Sequence, residues 1–235
     1  MHAKSLVPVV AAITALLATG CSAGEPTSTS TPPPSADQTA ASSAPSVTPT
    51  NGIDNQGDSV CGLTPGDPSV PTGPLGAGTT TAGRGLKVPS LDGIGPNSTS
   101  PQGISSCYAH SPKGAVLSAG GFMTWFSSQQ QLLDVIHDRM EASPDRDRLA
   151  TQVSQTWGGE TSAPLEIKGY KATLRSPDEV VVTLAVVQAG DTHLVSWPLT
   201  MVWSEGDWRV RVPNTEAWGE EAITSLEAAG MSPWA

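Results

Sequence analysis

Every aromatic side chain of this 235-residue chain stands at or beyond Tyr108: seven Trp, two Phe and two Tyr. Rings of this kind bury roughly 150 to 250 Å² each and dominate a core. A packed interior therefore has to form in the C-terminal half. What precedes it can only be leader, tether or covering. The length suits one domain of ordinary size plus a linker.

The leader is legible. Lys4 gives a basic start, Leu6 to Leu17 form a twelve-residue apolar run, and Leu17-Ala18-Thr19-Gly20-Cys21 closes it with small residues and a cysteine. The run is well short of the ~20 residues of a spanning helix. A plain export signal needs only small residues before its cut, whereas a cysteine at the cut supplies a thiol for a lipid. The pattern looks like a bacterial lipoprotein signal over residues 1–20, with mature protein beginning at lipidated Cys21. A secretory signal followed by a chance cysteine is the alternative.

Net charge is −10, and the only basic residue before Arg84 is Lys4, inside the leader. With no basic patch to neutralise phosphates, nucleic acid is excluded as a partner. An acidic surface gains nothing from anionic headgroups, so membrane attachment falls to acyl chains such as palmitate, at ~0.8 kcal/mol per buried CH₂. Setting Cys21 aside leaves Cys61 and Cys107, which in an oxidising extracytoplasmic space read best as one disulfide. Zinc is the competing reading and lacks a ligand set, since no His lies near Cys61.

Residues 21–58 are Ser, Thr, Pro and Ala with no Lys or Arg. They cannot bury enough surface to offset chain entropy and are expected to be a disordered tether. It would average roughly 35 Å end to end and stretch to about 120 Å, enough to hold a domain away from a membrane. Residues 59–106, rich in Gly and Pro with islands such as Leu86-Lys87-Val88, read as an irregular arm over the domain. Closing it by a Cys61 to Cys107 bridge stabilises by about 3 to 4 kcal/mol on the chain-entropy argument.

The domain itself is assigned to 107–235. Ser111-Pro112 and Ser143-Pro144 are helix starts, an N-cap followed by Pro at the first helical position. Ala115, Ala119, Phe122 and Phe126 share one helix face, Leu132, Leu133, Ile136 and Met140 mark a second helix, and Leu149 and Val153 a third. From Leu165 the period becomes two. Strands near 165–175, 179–188, 192–203 and 208–212 are separated by Ser-Pro-Asp, Ala-Gly-Asp and Glu-Gly-Asp turns. The expected fold is α+β: three N-terminal helices packed on a curved four-stranded antiparallel meander. Pairing across Glu205-Gly206 sets Trp203 opposite Trp208 and puts Trp197, Leu199, Met201 and Val210 on one side.

Such an arrangement resembles the cystatin-like cone of nuclear-transport-factor-like domains. More specifically, Cys61-Gly62-Leu63, Gly95-Pro96, the run Cys107-Tyr108-Ala109-His110-Ser111-Pro112-Lys113-Gly114-Ala115, the hairpin Trp203-Ser204-Glu205-Gly206-Asp207-Trp208-Arg209-Val210, Ser225-Leu226 and Pro233-Trp234 are similar to uncharacterised exported proteins of actinobacteria that often accompany conjugative elements. The resemblance implies export, the cone fold and the Cys61 to Cys107 bridge. It brings no catalytic residues with it. A related cone serves as an assembly module in secretion and conjugation machines, but this chain lacks their transmembrane anchor.

No residue is assigned a catalytic role, and neither a metal nor a cofactor is expected. His110, before a helix N-terminus, is either a pocket base or a residue orienting the cap beside the disulfide. His193 is a pocket base or a solvated strand end. His137 and Glu141 stand four apart on a helix without a third ligand. Trp197, Trp203 and Trp208 are core or a stacking platform, while Trp218 and Trp234 cover a sheet edge or expose a partner surface. The sequence thus points to a protein held on the extracytoplasmic side of the cell membrane by its lipid, presenting a non-catalytic binding or assembly module to an envelope protein. The alternative is a small-ligand or enzymatic pocket within the domain. Oligomeric state stays open.

Overall fold

The computed structural model describes residues 59–215 and 217–235. The signal expected at 1–20, the lipidation expected at Cys21 and the tether expected at 21–58 lie outside the described residues. Among those residues no helix is long and apolar enough to cross a membrane.

The arm forms two small ladders: β1 (Gly78–Thr81) against β2 (Lys87–Ser90), and β3 (Ser98–Thr99) against β4 (Ser105–Ser106). Helices α1 (Pro112–Ser128), α2 (Leu132–Arg139) and α3 (Pro144–Thr156) follow, and then β5 (Glu166–Ser176), β6 (Glu179–Val187), β7 (Leu194–Ser204), β8 (Asp207–Arg211), β9 (Glu221–Ile223) and β10 (Ser232–Pro233). The last six build one antiparallel sheet in the order β10-β5-β6-β7-β8, with β9 also paired to β7.

This corrects the expected architecture. The sheet has six strands where a four-stranded meander is expected, and the helices are not N-terminal but come after the four short strands of the arm. The physical reason is length. A two- or three-residue strand such as β10 or β9 carries no period-two signal, and Pro233 argues locally against pairing. Both are fixed by tertiary contact: the Trp234 N–H donates to the Lys168 carbonyl at 3.0 Å, and the Ser196 hydroxyl donates to the Glu221 carbonyl at 3.2 Å.

The helix starts follow from caps. The hydroxyls of Ser111 and Ser143 accept from the N–H groups of Gly114 (3.1 Å) and Arg146 (3.2 Å), satisfying donors that have no partner inside the helix. α1 is buried on almost all sides because it lies between the sheet and the arm: Ala115, Val116, Ala119, Met123 and Trp125 meet Val182, Leu184 and Val210 of the sheet and Val88 and Ile104 of the arm in one core.

Two mid-helix glycines explain how bulky neighbours come so close to α1. Glycine costs a helix interior about 1 kcal/mol relative to Ala, yet a methyl group at Gly121 would overlap the Tyr108 hydroxyl. One at Gly120 would stand 2.6 Å from the Trp234 ring. The helix accepts two poor helix formers, and in exchange two aromatic rings lie directly on its backbone.

Candidate functional site

The densest polar constellation sits where β8, α2 and the start of α1 converge. Glu205 and Gly206 both adopt positive φ (54° and 74°), the two-residue turn that suits the right-handed twist of a hairpin. Their turn delivers Asp207 into the interior, where it is 4% exposed. One of its carboxylate oxygens accepts from the Arg139 guanidinium at 2.6 Å and the Cys107 N–H at 2.8 Å. The other accepts from the N–H groups of Tyr108 (3.0 Å) and Trp208 (2.9 Å).

Arg139, equally buried, spends its other terminal nitrogen on the Ser118 hydroxyl (2.8 Å) and the Trp208 carbonyl (3.0 Å), and its guanidinium carbon stands 5.3 Å from the Tyr108 ring centroid. Burial alone would lower the Arg139 pKa. The opposing field and hydrogen bond of Asp207, with Tyr108 alongside, carry it above the ordinary arginine value. A buried pair is tolerable only when its remaining lone pairs and protons are also engaged; here each Asp207 oxygen accepts two hydrogen bonds and both terminal nitrogens of Arg139 donate.

Cys61 and Cys107 are paired, with Cα atoms 6.1 Å apart, inside the span a disulfide requires. Cys107 has φ 70°, unusual for a residue with a side chain. That backbone is held from both sides, by the bridge and by Asp207, and it aims two consecutive N–H groups at one carboxylate. The Ser59 hydroxyl lies 3.5 Å from both sulfurs, and Val60 donates to the Gly206 carbonyl at 2.7 Å, so the first described residues are clipped to the β7–β8 turn.

His110 belongs to this cluster by packing. Its ring stacks on Trp203 (4.2 Å between centroids, 12° between planes) and tilts against Trp208 at 5.6 Å. Its Nε2 stands 3.1 Å from the Pro177 carbonyl and 2.9 Å from an Asp178 oxygen. The ring thereby joins the start of α1 to the β5–β6 turn. His193 goes elsewhere: its side chain is 87% exposed in the β6–β7 connection, 2.6 Å from Asp191, whose carboxyl is held below its usual range by that contact and by two backbone N–H groups.

The tryptophans divide among separate environments. Trp208 is fully buried and its indole N–H donates to the Ala109 carbonyl at 3.0 Å, while Trp203, its cross-strand partner, is half-buried. Trp197 is half-buried opposite Leu184. Trp218 leans on Phe126 and Phe122 at 5.7 and 6.4 Å, and Trp234, buried, meets the Tyr170 ring edge-on at 6.2 Å. They form no single stacking platform.

Two of the open grooves among the described residues lie beside α2 and the sheet. One, of about 570 Å³, runs between Glu141, Asp145, Thr200, Arg211 and Trp218. Arg211 is pinned across it by Glu141 and Glu179, each at 2.8 Å. The other, of about 500 Å³, lies between Arg84, Gln131, Asp134 and Trp157. Neither contains His110, His193 or Asp207. Among the described residues no group of three or more His, Cys, Asp or Glu is placed to hold a metal ion.

Sequence reasoning missed Arg139 and Asp207. The signal was present for the first: Arg139 follows Leu132 and Ile136 by seven and three positions, on the buried stripe of α2. Asp207 read only as turn composition.

The family described as a domain of unknown function (DUF8175) matches residues 24–231, and the chain belongs to it. No curated protein and no solved structure matches.

Proposed function

We propose that the protein is a lipid-anchored envelope protein that presents a non-catalytic binding or assembly surface on the extracytoplasmic side of the cell membrane. Cys21 carries the lipid, and the Ser/Thr/Pro-rich segment after it spaces the domain from the bilayer. The observation that carries the reading is the state of the interior. Trp125, Trp208, Tyr108 and Phe122 fill it, and its buried carboxylate, Asp207, has both oxygens committed to Arg139 and three backbone N–H groups. An acid or base must be free to exchange a proton with a substrate within hydrogen-bond reach; Asp207 is not. The resemblance to exported actinobacterial proteins that accompany conjugative elements extends the proposal to an accessory role in conjugation or secretion.

Two measurements test it. Fatty-acid labelling should mark the wild-type chain, and Cys21→Ala should lose both the label and membrane retention. Amine-reactive crosslinking on intact cells should join the wild-type domain reproducibly to one envelope protein and do so equally for His110→Ala and His193→Ala. Turnover of a small molecule abolished by either His substitution would replace the module with an enzyme.

A further inference from the structure

The outer edge of β5 is only partly covered by β10. Five residues, Lys171 to Arg175, run beyond the point where β10 stops, since β10 pairs only with Gly169 and Tyr170. The Trp234 N–H to Lys168 carbonyl bond sets the phase: Lys168 and Tyr170 direct backbone groups toward β10, and alternation directs those of Ala172 and Leu174 the same way. Among the described residues, no hydrogen bond outside the β5–β6 ladder engages the backbone of Ala172 or Leu174. Four backbone groups thus form a short open row. Leu174 is 42% exposed, one of the two large apolar side chains among the described residues that stand out in this way.

The side chains say what the row accepts. Lys171 and Thr173 share one face and Arg175 follows at the second register shift of β5, all three exposed, and neither cation joins an ion pair among the described residues. Two free cations on an edge, in a chain of net charge −10, block some partners and invite others. A second copy laid antiparallel over the same five residues would set Lys171 of each chain against Arg175 of the other, like charges directly opposite. The geometry points to an extended acidic segment of a partner protein, added antiparallel to β5, with carboxylates opposite Lys171 and Arg175 and apolar residues opposite Ala172 and Leu174. The inference deepens the binding-module reading and rests on it.

The probe is a capped peptide, Glu-Val-Thr-Val-Glu, whose order satisfies that register, and its control is Lys-Val-Thr-Val-Lys. Amide hydrogen exchange on the full chain at millimolar peptide should show Ala172 and Leu174 slowed about tenfold by the acidic peptide and unaffected by the basic one. The surface variant Lys171→Glu/Arg175→Glu should reverse that preference, and Leu174→Pro, which removes an outward N–H on an edge, should abolish protection with either peptide. Unchanged exchange with the acidic peptide, equal slowing by both peptides, or slowing that rises with protein concentration alone would each overturn the inference. If the peptide fails while the wild-type chain still crosslinks its partner in cells, the docking strand is wrong and the module stands; if the wild-type chain crosslinks nothing, the module reading itself falls.

Discussion

Replacing Asp207 by Asn should cost more than replacing Arg139 by Met, although the two residues make one ion pair. Arg139→Met removes the cation but leaves the Asp207 carboxylate its three N–H donors at 2.8, 3.0 and 2.9 Å, so what is lost is the charged partner and the bonds to Ser118 and the Trp208 carbonyl. That amounts to about 2 to 3 kcal/mol, since each such bond contributes about 1 kcal/mol net and the anion stays solvated by backbone. Asp207→Asn instead strands a buried guanidinium on two neutral acceptors and turns an amide NH₂ toward groups that are themselves donors. Removing one partner of a buried pair in this way costs about 3 to 5 kcal/mol, and the clash of donors puts Asn at the upper end. Urea unfolding reads the difference. With a slope of ~2 kcal/mol per molar, the midpoint should fall by about 1 M for Arg139→Met and about 2 M for Asp207→Asn. Adding Arg139→Met to Asp207→Asn should restore about 1 kcal/mol by removing the stranded charge. A smaller loss for Asp207→Asn than for Arg139→Met, or a double variant worse than both, would refute the reasoning.

Three further outcomes follow from the packing. Cys61→Ser/Cys107→Ser should lower stability by about 3 to 4 kcal/mol, and non-reducing peptide mapping of the native chain should recover residues around Cys61 and Cys107 as one species; free labelling of both thiols in folded protein would contradict it. The Tyr108 hydroxyl is buried without a hydrogen-bond partner, so Tyr108→Phe should leave stability at neutral pH unchanged or raise it by up to about 1 kcal/mol. Burial pushes the Tyr108 pKa above 10, so the unfolded chain releases that proton first, and its contribution is complete below pH 10 and lost as pH rises through the folded value; the alkaline loss of stability should be shallower in Tyr108→Phe, with Tyr170 supplying the remainder. Gly120→Ala should cost about 1 to 3 kcal/mol through the Trp234 ring despite its better helix propensity, and Gly120→Ala/Trp234→Ala should cost less than the sum of its parts in thermal melts.

Helices and long strands were legible because each is written in its own period. Ser111-Pro112 and Ser143-Pro144 open α1 and α3 as capped starts, and the Trp203 to Trp208 pairing follows from a two-residue turn whose central residues both take positive φ. The two register shifts of β5, at Ile167/Gly169 and Leu174/Ser176, fall where alternation breaks. What sequence could not supply was the sheet's true extent. β9 and β10 are shorter than any pattern, and their place depends on where Trp234 finds room. That room is made by Gly120, which in isolation looks like a weakness in a helix.

The polar cluster was hidden for a related reason: each member has an ordinary local reading. Arg139 could be a solvated helix residue, Asp207 a turn residue, and Cys107 only half of a bridge. Their meaning appears when three segments separated by thirty to seventy positions meet and both Asp207 oxygens are filled by the donors of Arg139, Cys107, Tyr108 and Trp208. The same logic separates this interior constellation from a site. Asp207 and Arg139 satisfy each other and the backbone at Cys107, Tyr108 and Trp208, which ties the disulfide, α2 and the β7–β8 hairpin into one unit. Among the described residues the outward groups of Ala172 and Leu174 have no partner of this kind, and Lys171 and Arg175 join no ion pair beside them. Where a folded domain leaves backbone donors, acceptors and cations unmatched together, an incoming strand gains what the interior has already used, which is why the proposed docking strand lies at the sheet edge and not in the core.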